Sequence, residues 1–220
     1  MTGLERRLSG RFIVIDGPDG AGKTTQLARL KEHLERLGLQ VQMVRDPGGT
    51  QVGDRIRAIL LDRGSSMDAM TEMLLFMASR AQLVRERVFP AMREGKVVLC
   101  DRFITATVAY QGAAGVDRDQ ILHVGNLAVD GIWPDLTIIL DLPPEVGLAR
   151  VAAARGAGDR MEAKGLEFHR AVRELFRRVG DDFPAPVVHV PADRPPDEVF
   201  ADVLAALRRV FGKMPVDEGL

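Results

Sequence analysis

Short apolar runs alternate along this chain with longer stretches whose apolar residues recur every third or fourth position. The runs Arg11–Asp16, Leu39–Val44, Val97–Cys100, Leu136–Leu140 and Val187–Val190 are short, rich in Val, Ile and Leu, and predict strands. Amphipathic helices are predicted over Lys23–Leu37, Asp54–Leu61, Ala69–Arg93, Arg118–Asp130, Pro144–Ala154, Glu162–Val179 and Pro196–Phe211. Strands alternating with helices build a parallel sheet that is covered on both faces. The expected fold is therefore α/β, a five-stranded doubly wound sheet with its ligand site at the C-terminal ends of the strands. No repeat, low-complexity tract or linker divides the chain, so residues 1–220 are expected to form one domain with a polar tail at 212–220.

Composition narrows the picture without redrawing it. A formal net charge of −1 offers no basic field for polymeric nucleic acid. No stretch approaches the apolar length of a membrane span, and the arginine-containing N-terminus lacks a following apolar segment of signal type. A cytoplasmic protein is expected. The single cysteine, Cys100, cannot form an internal disulfide and reads as a small buried core residue.

The candidate chemistry begins at Gly17-Pro18-Asp19-Gly20-Ala21-Gly22-Lys23-Thr24-Thr25, directly after the first apolar run. A glycine-rich turn between a buried strand and a helix aims successive backbone N–H groups at one point. The positive end of the helix dipole adds to them, so the turn is an anion cradle. In the G-x-x-x-x-G-K-[ST] pattern Lys23 reaches the β/γ-phosphates of a nucleoside triphosphate and the Thr24 hydroxyl binds Mg²⁺.

Three further constellations fall at ends of predicted strands or between helices. Asp101 closes the third apolar run, where such folds hold Mg²⁺, usually through water, and Arg102 follows at the same sheet edge. Arg45-Asp46-Pro47-Gly48-Gly49-Thr50 is a polar turn after the second run, with Arg45 placed to hold an anion. Arg155-Gly156-Ala157-Gly158-Asp159-Arg160 joins two helical stretches. Its glycines permit movement and its arginines suit closure over phosphates, so residues 150–162 read as a mobile lid. Phe76 and Arg80 are one helical turn apart on a mostly apolar stretch, and Arg80 there points to a buried anionic or polar contact.

Together these segments resemble the thymidylate kinase family of the bacterial type, within the P-loop NTPase fold. The resemblance rests on the phosphate loop, residues 45–50, Leu-Leu-Phe-Met-Ala-Ser-Arg-Ala-Gln at 74–82, Asp-Arg-Phe at 101–103 and Ala-Tyr-Gln-Gly at 109–112. It continues through 134–137, 141–148, 159–162 and 191–193, spanning roughly 11–207. The resemblance implies that Gly17, Gly20, Ala21, Gly22, Lys23, Thr24 and Thr25 bind the phosphates of ATP, with Arg150 and Ala192 flanking adenine. It implies Mg²⁺ at Thr24 and Asp101. Asp19 would contact the sugar or phosphate of dTMP, and Arg45 and Arg102 would hold its phosphate. Phe76 would stack on thymine, with Arg80, Thr107 and Gln111 at the base edge and Tyr110 against the deoxyribose. Lys23, Arg102, Arg155 and Arg160 would be catalytic, and a homodimer is implied.

Departures from the family pattern are Gly20 in place of the eukaryotic arginine, which passes that role to the lid, and Val151 and Ala153 at lid positions that can be arginine. Asp46, Ser79, Phe103 and Ala106 replace commoner residues. The expected reaction is ATP + dTMP → ADP + dTDP. Another nucleoside monophosphate kinase would share much of this set. A deoxynucleoside kinase would need a carboxylate base instead of Arg45 and Arg102. A nucleotide-dependent switch would lack a use for the lid.

Overall fold

The computed structural model of the protein describes residues 3–155, 160–161, 164–180 and 183–212. Its centre is one parallel sheet: β1 (Phe12–Asp16), β2 (Val41–Arg45), β3 (Val97–Asp101), β4 (Leu136–Asp141) and β5 (Val187–Pro191), in the order β2-β3-β1-β4-β5. β1 lies in the middle, with Ile13 beside Leu99 of β3 on one side and Leu136 of β4 on the other. From β1 the chain runs outward to β2, returns to β3, and then crosses to β4 on the opposite side. That reversal leaves a crevice at the C-terminal end of β1, where α/β sheets hold ligands.

The helices are α1 (Gly3–Leu8), α2 (Lys23–Arg36), α3 (Gln51–Leu61), α4 (Ala69–Leu83), α5 (Phe89–Arg93), α6 (Ile104–Ala113), α7 (Arg118–Val129), α8 (Pro144–Arg155), α9 (Leu166–Arg178) and α10 (Pro196–Phe211). One face of the sheet packs on α4, α6, α7 and α9 around Phe12, Val14, Phe103 and Phe176. The other packs on α2 and α10 around Ile13, Ile15, Leu27 and Leu207. Alternate residues of β1 thus feed opposite cores, which is why its run is apolar without a break. None of the described helices is long and apolar enough to cross a membrane.

Several predicted boundaries shift, each for a local reason. The helix expected at Asp54 begins at Gln51, because the Thr50 hydroxyl caps it by accepting from Gly53 N at 3.0 Å. The continuous helix expected over 69–93 is interrupted by a π-helical turn at Val84–Val88. Pro90, which lacks an N–H, follows directly. Leu39 belongs to a turn, its N–H bonded to Leu34 O, and the strand starts at Val41. The edge strands β2 and β5 are only partly buried. Helix α6 was not expected at all. It is apolar or small on nearly every side and packs against α4, α7 and α9, so no polar stripe marks its period. Residues 156–159 of the expected lid, Glu162, and the tail from 213 lie outside the described residues.

The loop after β1 is shaped by close backbone approach. Gly20 has φ +74°, and a Cβ there would fall 2.3 Å from Gly147 O. Reciprocally, a Cβ on Gly147 would fall 2.2 Å from Asp19 O. The loop and the first turn of α8 therefore touch without side chains between them. Gly147→Ala is expected to destabilise the fold by about 1–3 kcal/mol, because backbone must move to admit the methyl. An unchanged urea midpoint for that variant would refute the contact.

Candidate functional site

Asp16, the last residue of β1, has no solvent exposure and organises the crevice. Its carboxylate accepts from Gly17 N at 2.8 Å, Thr105 Oγ1 at 2.5 Å, Phe103 N at 3.3 Å and Arg102 Nη1 at 3.4 Å. It thus ties the start of the glycine loop to the exit of β3 and the first turn of α6. Arg102 is held there with φ 69°, a left-handed conformation uncommon outside glycine.

Beyond Asp16 the loop curls into the N-terminus of α2. Gly22 precedes that helix in the left-handed region with no side-chain cap, and a Cβ on it would meet nothing within 4 Å. The first-turn N–H groups of α2 have no partner within their own helix and surround open space, which is the geometry of an anion cradle. Lys23 Nζ folds over the loop, donating to Gly17 O at 3.0 Å and Pro18 O at 2.7 Å. Burial, and then the nearby Arg102 cation, pull its pKa down to about 8 despite the carboxylates of Asp19, Asp101 and Asp16.

Arg102 spans from the loop to α6. It donates to Gly17 O at 2.9 Å, pairs with Asp19, and lies 3.5 Å from the Tyr110 hydroxyl, which itself donates to Asp19 Oδ2 at 2.6 Å. Burial raises the Asp19 pKa, but Arg102, Lys23 and the Tyr110 hydrogen bond outweigh it and leave the carboxyl below its usual range. Burial beside that carboxylate pushes the Tyr110 phenol well up, so it remains a donor.

These groups form one end of a cleft of about 610 Å³, of the size of small-ligand sites. Its wall includes Asp19, Gly20, Gly22, Lys23, Thr24, Thr25, Asp101, Arg150, Arg45 and Arg102. Among the described residues, no hydrogen bond or ion pair engages the side chains of Arg45, Thr24 or Asp101. A hydroxyl and a strand-end carboxylate beside a phosphate cradle suit a hard cation that keeps most of its ligands as water and phosphate oxygens. Arg150 Nη1 donates to Gly20 O at 3.2 Å, joining α8 to the loop.

The far end of the cleft is built from α4 and α6. Phe76, Thr107, Tyr110 and Gln111 line it. Arg80 is behind this wall, 1% exposed, with Nε on Asp46 Oδ2 at 2.5 Å and Nη2 on Phe103 O and Thr107 Oγ1, each at 3.1 Å. The buried anionic contact expected for Arg80 is thus Asp46. Burial drives the Asp46 pKa up, and Arg80 opposes that rise.

Not every expected residue reaches the cleft. Ala192 is buried in the core on the α2/α10 side, its N–H on Asp141 O. Gly17 and Ala21 lie beneath the loop surface rather than on the wall. Arg160 is not part of the cleft wall; it pairs with Glu72 and donates to Leu60 O at 2.9 Å. Arg155 closes α8, and its side chain lies outside the described residues. Three participants were missed in the sequence. Asp16 looked like the end of a strand. Arg57 lines the cleft from α3 and donates to Pro47 O at 3.0 Å. Glu72 shares the spacing of Phe76 and Arg80, four residues apart along one helical face, and that spacing was the available signal.

The five-stranded parallel sheet, with a glycine loop running from its central strand into a helix N-terminus, defines a nucleotide-binding protein of the phosphate-loop class. A family model described as thymidylate kinase matches residues 15–203. The thymidylate kinase of Deinococcus radiodurans is 45% identical over 199 residues, covering 90% of this chain and 96% of that protein. That of Geobacillus sp. (strain WCH70) is 40% identical over 203 residues, covering 91% and 97%. The crystal structure of thymidylate kinase from Ehrlichia chaffeensis superposes with a TM-score of 0.73 at 29% identity, covering 91% of this chain and 99% of that one. The chain belongs to the thymidylate kinase family, enzymes that phosphorylate dTMP to dTDP with ATP.

Removing Asp46 would leave the Arg80 guanidinium buried without its carboxylate. Asp46→Ala is expected to cost about 3–5 kcal/mol in urea unfolding, far above a surface substitution. A loss within the surface range would show that Arg80 is compensated elsewhere.

Proposed function

We propose that this chain transfers the γ-phosphoryl group of ATP to dTMP in a single cleft, with ATP at the glycine loop and dTMP between Arg45, Arg102 and the α4/α6 wall. The observation that carries the assignment is one cleft lined by Lys23 on the loop, Arg102 after β3 and Arg45 at the end of β2 together with the α4/α6 wall. The acceptor phosphate is already an anion, so no general base is required. One of its oxygens bonds to the γ-phosphorus as the bond to the ADP oxygen breaks, and ADP leaves.

Catalysis is then positioning and charge neutralisation. Lys23 and the amides of residues 20–25 hold the donor phosphates. Thr24, and Asp101 through water, would hold Mg²⁺, which when bound neutralises charge on the phosphates and orients them. Arg102 exchanges its contacts with Asp19 for the transferring group, and Asp19 with Tyr110 turns toward the sugar. Tyr110 packs against the deoxyribose in this reading and leaves no room for a 2′-hydroxyl. Phe76 stacks on the base while Thr107 and Gln111 read its edge, Arg80 acting through Thr107. Arg155 and Arg160 belong to a lid over about 150–162 that excludes water; Arg155 brings cationic charge to the phosphates, and Arg160 joins it only by releasing Glu72. Arg150 flanks adenine.

We read the chain as a single cytoplasmic domain acting as a homodimer. The dimer is supported by exposed apolar residues on three neighbouring helices: Ile59 on α3, Leu74 on α4 and Leu127 on α7. A monomer in sedimentation velocity at micromolar concentration would refute it.

The reading is tested by ADP release with dTMP, dUMP, UMP, CMP, AMP and thymidine. Turnover is expected with dTMP, more weakly with dUMP, which lacks one methyl worth about 1–3 kcal/mol, and not with thymidine. Preferred turnover of CMP or AMP would assign another nucleoside monophosphate kinase. Arg102→Ala is expected to lower kcat/KM for dTMP by roughly 10²–10³-fold; activity near the parent level would remove Arg102 from the reacting centre.

Lys23 supplies a pH test. In the free protein its pKa is about 8, below the ordinary 10.5. The unfolded chain therefore binds more protons between these values, and stability from this group rises with pH across that window. Nucleotide binding responds oppositely, because it uses the cation. ATP affinity should fall as pH rises past about 8 and should lose that dependence in Lys23→Met. Titration calorimetry showing a flat affinity across the window in the parent protein would contradict a titrating Lys23.

A further inference from the structure

Glu72 lies on the cleft-facing stripe of α4, four residues before Phe76, yet its residue is only 2% exposed. Three groups converge on its carboxylate. Gln111 Nε2 donates to Oε1 at 2.6 Å, Lys164 Nζ is 3.6 Å from Oε1, and Arg160 pairs with Oε2. The two cations balance the charge, and the hydrogen bond sets a direction.

That direction has consequences for the cleft. A carboxylate only accepts, so it captures the NH₂ end of the Gln111 amide. The oxygen end is left, and among the described residues it takes no hydrogen bond, while Gln111 lines the cleft. One turn earlier on α6, Thr107 Oγ1 already accepts from Arg80 Nη2, so its hydroxyl proton is the part left to donate. Arg80 cannot reverse this, since guanidinium is donor only and Asp46 fixes its Nε. The α4/α6 wall therefore presents an acceptor at Gln111 and a donor at Thr107.

A 4-oxo pyrimidine offers the matching pair, a ring N3–H beside a carbonyl oxygen. A 4-amino pyrimidine offers the reverse, an N3 lone pair beside an amino group. An unrestrained glutamine amide could turn over and serve either base. We propose that Glu72 is a positioning residue that pins the Gln111 amide and thereby makes the cleft select 4-oxo over 4-amino pyrimidine nucleotides. This rests on the reading of the acceptor as a pyrimidine monophosphate.

The test compares kcat/KM for dTMP and dCMP in the parent protein, Glu72→Gln and Gln111→Met. An amide at 72 can present either end, so Gln111 is free to turn. The dTMP-to-dCMP ratio is expected to fall roughly tenfold or more, with dTMP losing and dCMP gaining. Gln111→Met should lower the ratio at least as far, and adding Glu72→Gln to it should lower it no further. A merely structural role for Glu72 would reduce both substrates alike and leave the ratio unchanged, which would overturn the proposal. Should Glu72→Gln not fold, Glu72→Asp keeps the charge for Arg160 and Lys164 while withdrawing the oxygen from Gln111. The same fall is expected of it, and its absence is equally decisive. A parent protein that fails to use dTMP would instead overturn the thymidylate assignment, whatever the variants do.

Discussion

The Asp16 carboxylate is fully enclosed and therefore obliged to have its hydrogen bonds. The donors that meet this requirement come from the glycine loop, from both residues that follow β3 and from α6. One desolvated group thus sets where the loop begins, how the chain leaves β3 and where α6 starts. Arg102 is kept in a left-handed conformation by the same set of contacts, and that conformation turns its guanidinium back over the loop toward Gly17 O. The sheet supplies a crevice by topology alone, but its furnishing depends on this carboxylate.

The two ends of the cleft follow different physical rules. At the loop, backbone N–H groups and a lysine surround a space that favours concentrated negative charge. At the α4/α6 end, charges are neutralised in pairs, Arg80 with Asp46 and Glu72 with Arg160, and of these only Asp46 reaches the cleft wall. Neutral groups face inward there: a phenyl ring, a hydroxyl and an amide. Buried pairs contribute little net stability, but they hold the neutral groups in one orientation, which an open-sided pocket of amides and hydroxyls would lack.

The sheet and the loop were legible in the sequence because both have strong local signatures. Five apolar runs at strand length, and a glycine pattern between a strand and a helix, need no tertiary knowledge. The edge of α6 that carries Thr107, Tyr110 and Gln111 was readable only as a family motif, since a helix buried on every side shows no period. Arg80 was recognisable as out of place on an apolar stretch, though its partner Asp46 lies on a distant loop and no spacing links them. Asp16 escaped notice because a carboxylate ending a strand ordinarily reaches water. Arg160 stood beside a glycine-rich segment and read as a lid cation. Its pairing with Glu72 depends on packing between α3, α4 and the chain before α9.

The contact between Gly20 and Gly147 joins two segments that are far apart in the chain. Neither segment can gain a side chain there without displacing the other's backbone, so the two are fitted to each other backbone to backbone. A phosphate loop transplanted alone into another scaffold would arrive without the surface that gives it its curvature. The transferable unit is the loop together with the opening turn of α8. It is a discontinuous module, and copying the nine-residue motif would reproduce its letters without its shape.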